Sequence, residues 1–184
     1  MPERAPRADA QRNRVRVLRA AREAFAVSGY GVPLDEIAAL AGVGPGTVYR
    51  HFPSKEELFA AVTAARVADL IADARARAAD PDPGAAFFGF LGRIGQEAIA
   101  KRDLPDAIAV AGSLQQDLNA ALDVLLTRAK RAGAVRADIT TADLTVLLKG
   151  LLRSVHEAQA LSGTDPAGTA RLLAVISDGL RPRA

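Results

Sequence analysis

The chain lacks cysteine and tryptophan, and it contains only two histidines and one methionine among its 184 residues. Without cysteine it forms neither a disulfide framework nor a thiolate metal site. The two histidines, His51 and His156, lie far apart in sequence, so a histidine-based metal site would need several carboxylates to complete it. We therefore expect no metal ion and no cofactor.

Long apolar runs are absent as well. No segment approaches the ~20 apolar residues of a membrane-spanning helix, and the N-terminus lacks the apolar core of a signal peptide. These absences favour a cytoplasmic protein without a membrane partner. Alanine and leucine dominate the chain while aromatic residues make up only 4%, and this composition favours helices over sheets. We expect an all-α fold.

Positive charge is concentrated in the N-terminal third. Residues 1–66 contain 10 Lys or Arg against 7 Asp or Glu, whereas residues 67–184 contain 14 against 14. Seven arginines lie within the first 22 residues. Such a basic segment is either a solvated tail or part of the electrostatic footprint of a DNA-binding domain.

Residues 34–57 contain two short helical patterns separated by a turn at Gly42. In the first pattern, apolar residues recur at helical spacing, and they are Leu34, Ile37, Ala38 and Ala41. The second pattern runs from about residue 45 to 52, with Val48 and Phe52 facing inward. Two helices joined by a tight glycine turn are typical of a helix-turn-helix, whose second helix enters the DNA major groove. The alternative is a pair of ordinary helices with a solvated polar face.

The outward face of the second helix carries groups that suit DNA. Hydroxyl, imidazole and ammonium groups that can bind phosphate oxygens belong to Thr47, Tyr49, His51 and Lys55. Arg50 suits either phosphate or the O6 and N7 atoms of guanine. Pro45 and Gly46 have almost no side chain and would let the backbone approach base edges. Ser54, with an acid three residues later, predicts a capping box that starts another helix.

A gap-free pattern across residues 15–58 includes Gly29-Tyr30, Ile37-Ala38, Ala41-Gly42-Val43, Gly46-Thr47, Tyr49, His51-Phe52, Lys55 and Leu58. In these residues the chain resembles the TetR/AcrR family of bacterial transcriptional regulators. The resemblance implies a homodimeric, all-α repressor that leaves a palindromic operator when a small apolar or amphipathic molecule binds its C-terminal domain. It also implies base-proximal roles for Pro45, Gly46 and Arg50, and phosphate contacts from Thr47, Tyr49, His51 and Lys55.

The chain departs from the family pattern at two places. Pro33-Leu34 replaces a frequent hydroxyl pair, and Gly44 replaces a frequent serine. Capping or phosphate contacts from these positions are therefore in question.

The remaining patterns predict three parts: residues 1–53 form an N-terminal arm and the helix-turn-helix domain, residues 54–78 a connecting helix, and residues 79–184 a helical ligand-binding and dimerisation domain. The arm ends near Ala8, and the first helix spans about 9–28. Its predicted buried stripe is Val15, Leu18, Ala21, Ala24 and Phe25. Tyr30 is expected to pack into the same core.

The C-terminal part contains a phenylalanine-rich helix interrupted by Gly89, Gly92 and Gly95, which either admit a neighbouring helix or leave room for a bound molecule. Residues expected to contact a ligand are Phe87, Phe90, Leu91, Ile94, Leu118, Leu122 and His156. The last two helices are leucine-rich, and they either close the monomer core or pair with a second copy as a homodimer interface.

Two other functions fit parts of the sequence. One is an all-α enzyme or carrier with an apolar cavity, although no paired carboxylates and no nucleophile with an adjacent base stand out, so we assign no catalytic residue. The other is a DNA-binding protein that responds to no ligand.

Overall fold

The computed structural model of the protein describes residues 4–100, 112–162 and 165–182, and every regular element within these ranges is a helix. The α-helices are α1 (Arg4–Ser28), α2 (Leu34–Ala41), α3 (Pro45–His51), α4 (Lys55–Arg77), α5 (Pro83–Ala100), α6 (Gly112–Arg131), α7 (Thr141–Ser162) and α8 (Pro166–Leu180). A short 3₁₀ turn, Gly29–Gly31, follows α1. The predicted all-α fold is confirmed. None of these helices has the length and apolarity needed to cross a bilayer.

The chain folds into two compact units, Met1–Ala65 and Arg66–Ala184. The division falls within α4, which contributes Leu58 and Val62 to the N-terminal core and Leu70 and Ile71 to the C-terminal core. The three-part division predicted from the sequence, with breaks after residues 53 and 78, stays a prediction.

The N-terminal unit is a small bundle in which α1, α2 and α3 pack against one another. The α1 residues in its core are Val17, Ala20, Ala21, Ala24 and Phe25. The prediction was wrong about Val15, which is 56% exposed while Val17 is fully buried. Successive residues of a helix are about 100° apart, so these two side chains lie on opposite sides of α1.

Helix α1 also begins earlier than predicted, at Arg4 instead of near Asp9. The residues predicted to form an arm include Pro6, which a helix tolerates in its first turn because the first amide groups have no intrahelical partner. Among the described residues, this segment therefore belongs to the first helix.

The C-terminal unit has its core between α4, α5, α6 and α7, with Leu180 of α8 added at one end. Helix α5 packs against α6, α7 and α8. A Cβ atom on Gly95 would lie 1.8 Å from Cδ1 of Leu173 in α8. This glycine therefore admits a neighbouring helix, which was one of the two alternatives drawn from the sequence.

Helix α7 begins with a reciprocal capping box. The backbone amide of Thr140 donates to Oδ2 of Asp143 at 2.9 Å, and the amide of Asp143 donates to the Thr140 hydroxyl at 3.1 Å. Each bond satisfies an amide that the first turn of a helix leaves without a partner.

Candidate functional site

The turn between α2 and α3 is closed by Gly42, whose φ of 62° lies in the left-handed region. The amide of Val43 donates to the carbonyl of Ala38, and the amide of Gly42 donates to the carbonyl of Ala39, each at 3.0 Å. These two bonds form a Schellman motif, which ends a helix where a glycine adopts this conformation. The predicted glycine turn is confirmed.

Arg16 of α1 ties this turn to the first helix. Its Nη2 atom donates to the Gly42 carbonyl at 2.9 Å. The guanidinium of Arg14 lies 5.2 Å from the ring centroid of Phe52, the residue that follows α3. Arg16 therefore contacts the turn before α3, and Arg14 contacts the residue after α3.

Helix α3 is only seven residues long and depends on tertiary packing. Isolated helices of this length are marginal in water, and its fully buried side chain is Val48. Phe52 follows directly, is also buried, and donates its amide to the Val48 carbonyl at 2.8 Å. Burying a valine contributes roughly 1.5–3 kcal/mol relative to leaving it exposed. These two residues fix the face that α3 turns away from its own unit.

The opposite face of α3 is open to solvent. Pro45, Gly46 and Arg50 are exposed, Tyr49 is 49% exposed, and Thr47 and His51 are half-buried. The α3 residues predicted to meet DNA are therefore fully or partly accessible to solvent. None of the α3 side chains in this set belongs to the hydrophobic core.

Lys55, the last predicted contact, lies in the first turn of α4 and interacts with Tyr30. The lysine Nζ atom is 4.7 Å from the centroid of the tyrosine ring, a cation–π distance. The Tyr30 hydroxyl donates to Oε1 of Glu56 at 2.5 Å. This hydrogen bond is the main cause that raises the pKa of Tyr30 and lowers the pKa of Glu56. The helix begins as predicted, with the Ser54 hydroxyl accepting from the Glu57 amide at 3.2 Å.

The prediction that Tyr30 packs into the core was wrong, because it is 42% exposed. Its ring stacks on the edge of the core, 5.2 Å from Phe59 and 6.3 Å from Phe25. A tyrosine that covers apolar rings while its hydroxyl binds a surface carboxylate satisfies both parts of the side chain.

The two departures from the family pattern fall at helix starts. Pro33 precedes α2 and Gly44 precedes α3, and neither makes a side-chain capping bond. The proline at the first position of α3 has no amide hydrogen, so one fewer amide at the start of this helix lacks a hydrogen-bond partner. Asp35 and Glu36 lie in the first turn of α2, where the helix dipole stabilises negative charge.

The C-terminal unit contains a narrow, mostly apolar cavity between α5, α6 and α7, with a volume of about 30 Å³. Four of the predicted ligand-contacting residues line it, namely Phe90, Ile94, Leu118 and Leu122. Phe87 and Leu91 are buried in the core but are not among the lining residues. His156 falls within α7, and its side chain lies outside the described residues.

Sequence reasoning missed several lining residues, which are Gln115, Asn119, Thr145, Leu148, Lys149 and Leu152. The signal was present as matching spacing on two helices. The lining residues follow the same i, i+3, i+4, i+7 spacing on both helices, at positions 115, 118, 119 and 122 of α6 and positions 145, 148, 149 and 152 of α7. This spacing places each set on one face of its helix. In the described part of the chain, no group of three or more acidic or histidine side chains is arranged to hold a metal ion.

Comparison with known proteins agrees with this arrangement. Residues 17–62 match the family model described as bacterial regulatory proteins, tetR family. Residues 82–182, more than half of the chain, match the model described as transcriptional regulator SbtR-like, C-terminal domain. The chain belongs to the TetR family.

Solved structures of other TetR-family proteins extend the similarity over nearly the whole chain. A TetR transcription regulatory protein from Mycobacterium vanbaalenii is 41% identical, with 96% of this chain and 99% of that chain covered and a TM-score of 0.73. A TetR transcriptional regulator from Streptomyces coelicolor is 32% identical, with 93% and 99% covered and a TM-score of 0.72.

A curated bacterial regulator is similar over a shorter stretch of the chain. The HTH-type transcriptional regulator UidR of Escherichia coli is 42% identical over 55 residues, which is 29% of this chain and only 28% of that protein. Members of the family are DNA-binding transcriptional regulators, usually dimeric, and not enzymes.

Proposed function

We propose that the protein is a homodimeric transcriptional repressor that binds a palindromic operator through α3 and leaves it when a small apolar or amphipathic molecule binds the C-terminal unit. The observation that carries the proposal is the geometry of α3, whose Val48 is buried in its own unit while the opposite polar face is exposed. A face of this kind fits the major groove, which admits an α-helix. DNA binding assigns the protein to the bacterial cytoplasm, where the chromosome lies.

Within the proposed complex, the side chains of α3 divide into two groups. Pro45 and Gly46 let the backbone come close to base edges, and Arg50 reaches a guanine or a phosphate. The phosphate contacts come from Thr47, Tyr49, His51 and Lys55. Phosphate contacts fix the register of the helix on the duplex, whereas base contacts provide sequence preference.

The proposed response to a ligand uses α4. This helix supplies Leu58 and Val62 to one core and Leu70 and Ile71 to the other, so it belongs to both units. The guanidinium of Arg128 donates to the carbonyls of Ala78 and Asp80 just after its C-terminal end. A ligand shifts the equilibrium only to the extent that it prefers the conformation that does not bind DNA.

Selection of bound fragments from genomic DNA tests the proposal. We expect an inverted repeat whose half-sites lie about one turn of DNA apart, or a multiple of that spacing, since a dimer with two-fold symmetry presents two equivalent helices. Failure to enrich any sequence would contradict the proposal. A selected sequence without two-fold symmetry would leave DNA binding intact but contradict the dimeric mode.

Two variants test the phosphate contacts on the selected DNA. We expect both Tyr49→Phe and Lys55→Ala to weaken binding to all sequences. Lys55→Ala should also reduce the salt dependence of the affinity by about one phosphate contact per subunit, whereas Tyr49→Phe should leave it unchanged because a neutral hydroxyl displaces no counterion. The measurement is fluorescence anisotropy across a series of salt concentrations. The matched control for Lys55→Ala is Lys149→Ala, which removes an exposed lysine of the C-terminal unit. Unchanged affinity and salt slope in both test variants would contradict the assigned contacts.

A ligand-independent DNA-binding protein is the second candidate, because the cavity between α5, α6 and α7 holds only about 30 Å³. That volume accommodates about two water molecules, so any larger molecule requires the lining side chains to move. Melting temperatures measured against a panel of metabolites separate the two candidates, since a ligand that binds only the folded protein stabilises it. A stabilising metabolite that also releases DNA would support the ligand-responsive repressor.

A further inference from the structure

The cavity in the C-terminal unit has an apolar floor and a short polar edge. Phe90 and Ile94 of α5, with Leu118, Leu122, Leu148 and Leu152 of the two neighbouring helices, form its apolar part. The polar edge consists of Gln115 and Asn119 of α6 and Thr145 and Lys149 of α7. A cavity of this composition favours a molecule with an apolar body and one polar end.

Gln115 leaves a hydrogen-bond acceptor at this edge. Its Nε2 atom donates to Oδ1 of Asn119 at 2.9 Å. Its Oε1 atom is buried and has no hydrogen-bond partner among the described residues. A buried acceptor without a partner costs roughly 1–3 kcal/mol. A ligand that donates a hydrogen bond to it therefore gains more binding free energy than it would from the same bond at an exposed site.

The other polar residues of the edge do not supply that donor. The Thr145 hydroxyl donates to the carbonyl of Thr141 at 2.8 Å, within its own helix. Lys149 is exposed, so its ammonium group is available to water. The part of the lining that is buried is uncharged, and a charged ligand there would lose its hydration without gaining a counter-ion.

We infer that this cavity binds a neutral amphipathic molecule whose hydroxyl or N–H group donates a hydrogen bond to Oε1 of Gln115, with its apolar part against Phe90, Leu118 and Leu148. The inference rests on the proposed function, because it specifies the chemistry of the effector that the C-terminal unit takes. The small volume of the cavity means that the lining side chains separate as the molecule enters.

Two isomers with the same atoms test the donor. 1-Hexanol donates a hydrogen bond, whereas 1-methoxypentane only accepts one. Isothermal titration calorimetry of the full-length protein should show tighter binding of 1-hexanol by roughly three- to tenfold, the ratio that one neutral hydrogen bond supplies. Equal affinities, a preference for 1-methoxypentane, or no binding of either molecule would overturn the inference.

Variants at Gln115 assign the preference to this residue. Gln115→Leu should bring the ratio of the two affinities to about one, and Gln115→Met should do the same if the leucine variant fails to fold. The matched control is Gln116→Leu, the same change at the exposed neighbouring position, which should keep the wild-type ratio. A preference for 1-hexanol that persists in both Gln115 variants would overturn the inference.

Two further measurements separate the possible outcomes. Hexanoate that binds more tightly than both isomers and loses its affinity in Lys149→Ala would show an anion site and overturn the neutral class. DNA affinity, measured separately by fluorescence anisotropy, tests the function on which the inference rests. Binding of 1-hexanol with the expected preference but without any change in DNA affinity would support this ligand site and contradict the proposed release mechanism.

Discussion

Gly46 lies at the second position of α3, and a Cβ atom placed on it meets no atom within 4 Å. Gly46→Ala is therefore compatible with the fold, and because alanine exceeds glycine in helix propensity by up to about 1 kcal/mol, the melting temperature should rise. In the proposed complex the added methyl group stands between the backbone and the base edges. We expect operator binding, measured by fluorescence anisotropy, to weaken roughly tenfold, comparable to the loss of one base contact.

The matched control for this change is Gly92→Ala. Gly92 is an exposed glycine inside α5, and a Cβ atom there also meets nothing within 4 Å. This variant should raise the melting temperature and leave operator affinity unchanged. If Gly46→Ala stabilises the protein and binds operator as tightly as the wild type, α3 does not approach the bases as proposed.

Arg16 should act on DNA binding through the turn and not through a phosphate. Its guanidinium donates to the Gly42 carbonyl at 2.9 Å, so Arg16→Ala removes a bond that holds the turn before α3. We expect lower operator affinity with an unchanged salt slope, because no phosphate contact is lost. Arg16→Lys should restore part of the affinity, since its ammonium group can donate to the same carbonyl.

Arg19→Ala is the control for Arg16→Ala, because Arg19 is an exposed arginine less than one turn further along α1. It removes the same formal charge without removing the bond to Gly42. A salt slope that falls in Arg16→Ala by about one phosphate contact per subunit would contradict the positioning role.

Single residues also show where sequence reasoning ends. The positions of Gly42, Val48 and Phe52 were predictable, because a glycine turn and an apolar spacing are local signals. The partners of Arg16 and Tyr30 were not, because each contacts a residue 26 positions away. Periodicity indicates which face a side chain is on, but it does not say what a long side chain reaches.

Among the elements, the capping box at the start of α7 predicts a measurable loss of stability. The Thr140 hydroxyl accepts from the Asp143 amide at 3.1 Å, and Thr140→Ala removes this acceptor. We expect a loss of about 1 kcal/mol in the free energy of unfolding, the usual effect of removing a threonine cap, measured by chemical denaturation. Thr145→Ala, within the same helix, is the control that tests whether the effect belongs to the cap.

The same box predicts a dependence on pH. Hydrogen bonds from the Thr140 hydroxyl and amide lower the pKa of Asp143 below its ordinary value. A carboxyl group with a lowered folded-state pKa stabilises the protein above its unfolded pKa, and this contribution is lost as the pH falls through the folded value. The stability difference between the wild type and Asp143→Asn should therefore shrink as the pH falls from about 6 to about 3. A difference that stays constant over this range would contradict the role of the charge.

The helices themselves were largely predictable, whereas their orientation was not. Apolar spacing identified α1, but it assigned Val15 to the core in place of Val17, since α1 carries small apolar residues around much of its surface. In α5 the apolar side chains face several neighbouring helices. For that reason the sequence did not distinguish Phe90, which lines the cavity, from Phe87, which is buried away from it.

For the whole molecule, the outer faces of α7 and α8 predict how two copies associate. Leu147, Leu172 and Val175 are large apolar residues that remain exposed, and Val175 is 69% exposed. Leu172 also lines a groove that it shares with Ser154 and Val155 of α7, so the two helices form one continuous surface. Contiguous exposed apolar surface is typical of an interaction site.

We expect Leu172→Glu to convert a dimer into a monomer of 19.2 kDa, measured by analytical ultracentrifugation, because a charge buried at the interface without a partner is strongly unfavourable. Operator affinity should fall with it, since one α3 makes few phosphate contacts and a palindrome provides two half-sites. The control is Val124→Glu, which places the same charge on an exposed valine of α6 and should leave the dimer intact. A Leu172→Glu protein that remains dimeric and binds operator normally would mean that the two copies associate through another surface, and the spacing of the two α3 helices would then have to be set elsewhere in the molecule.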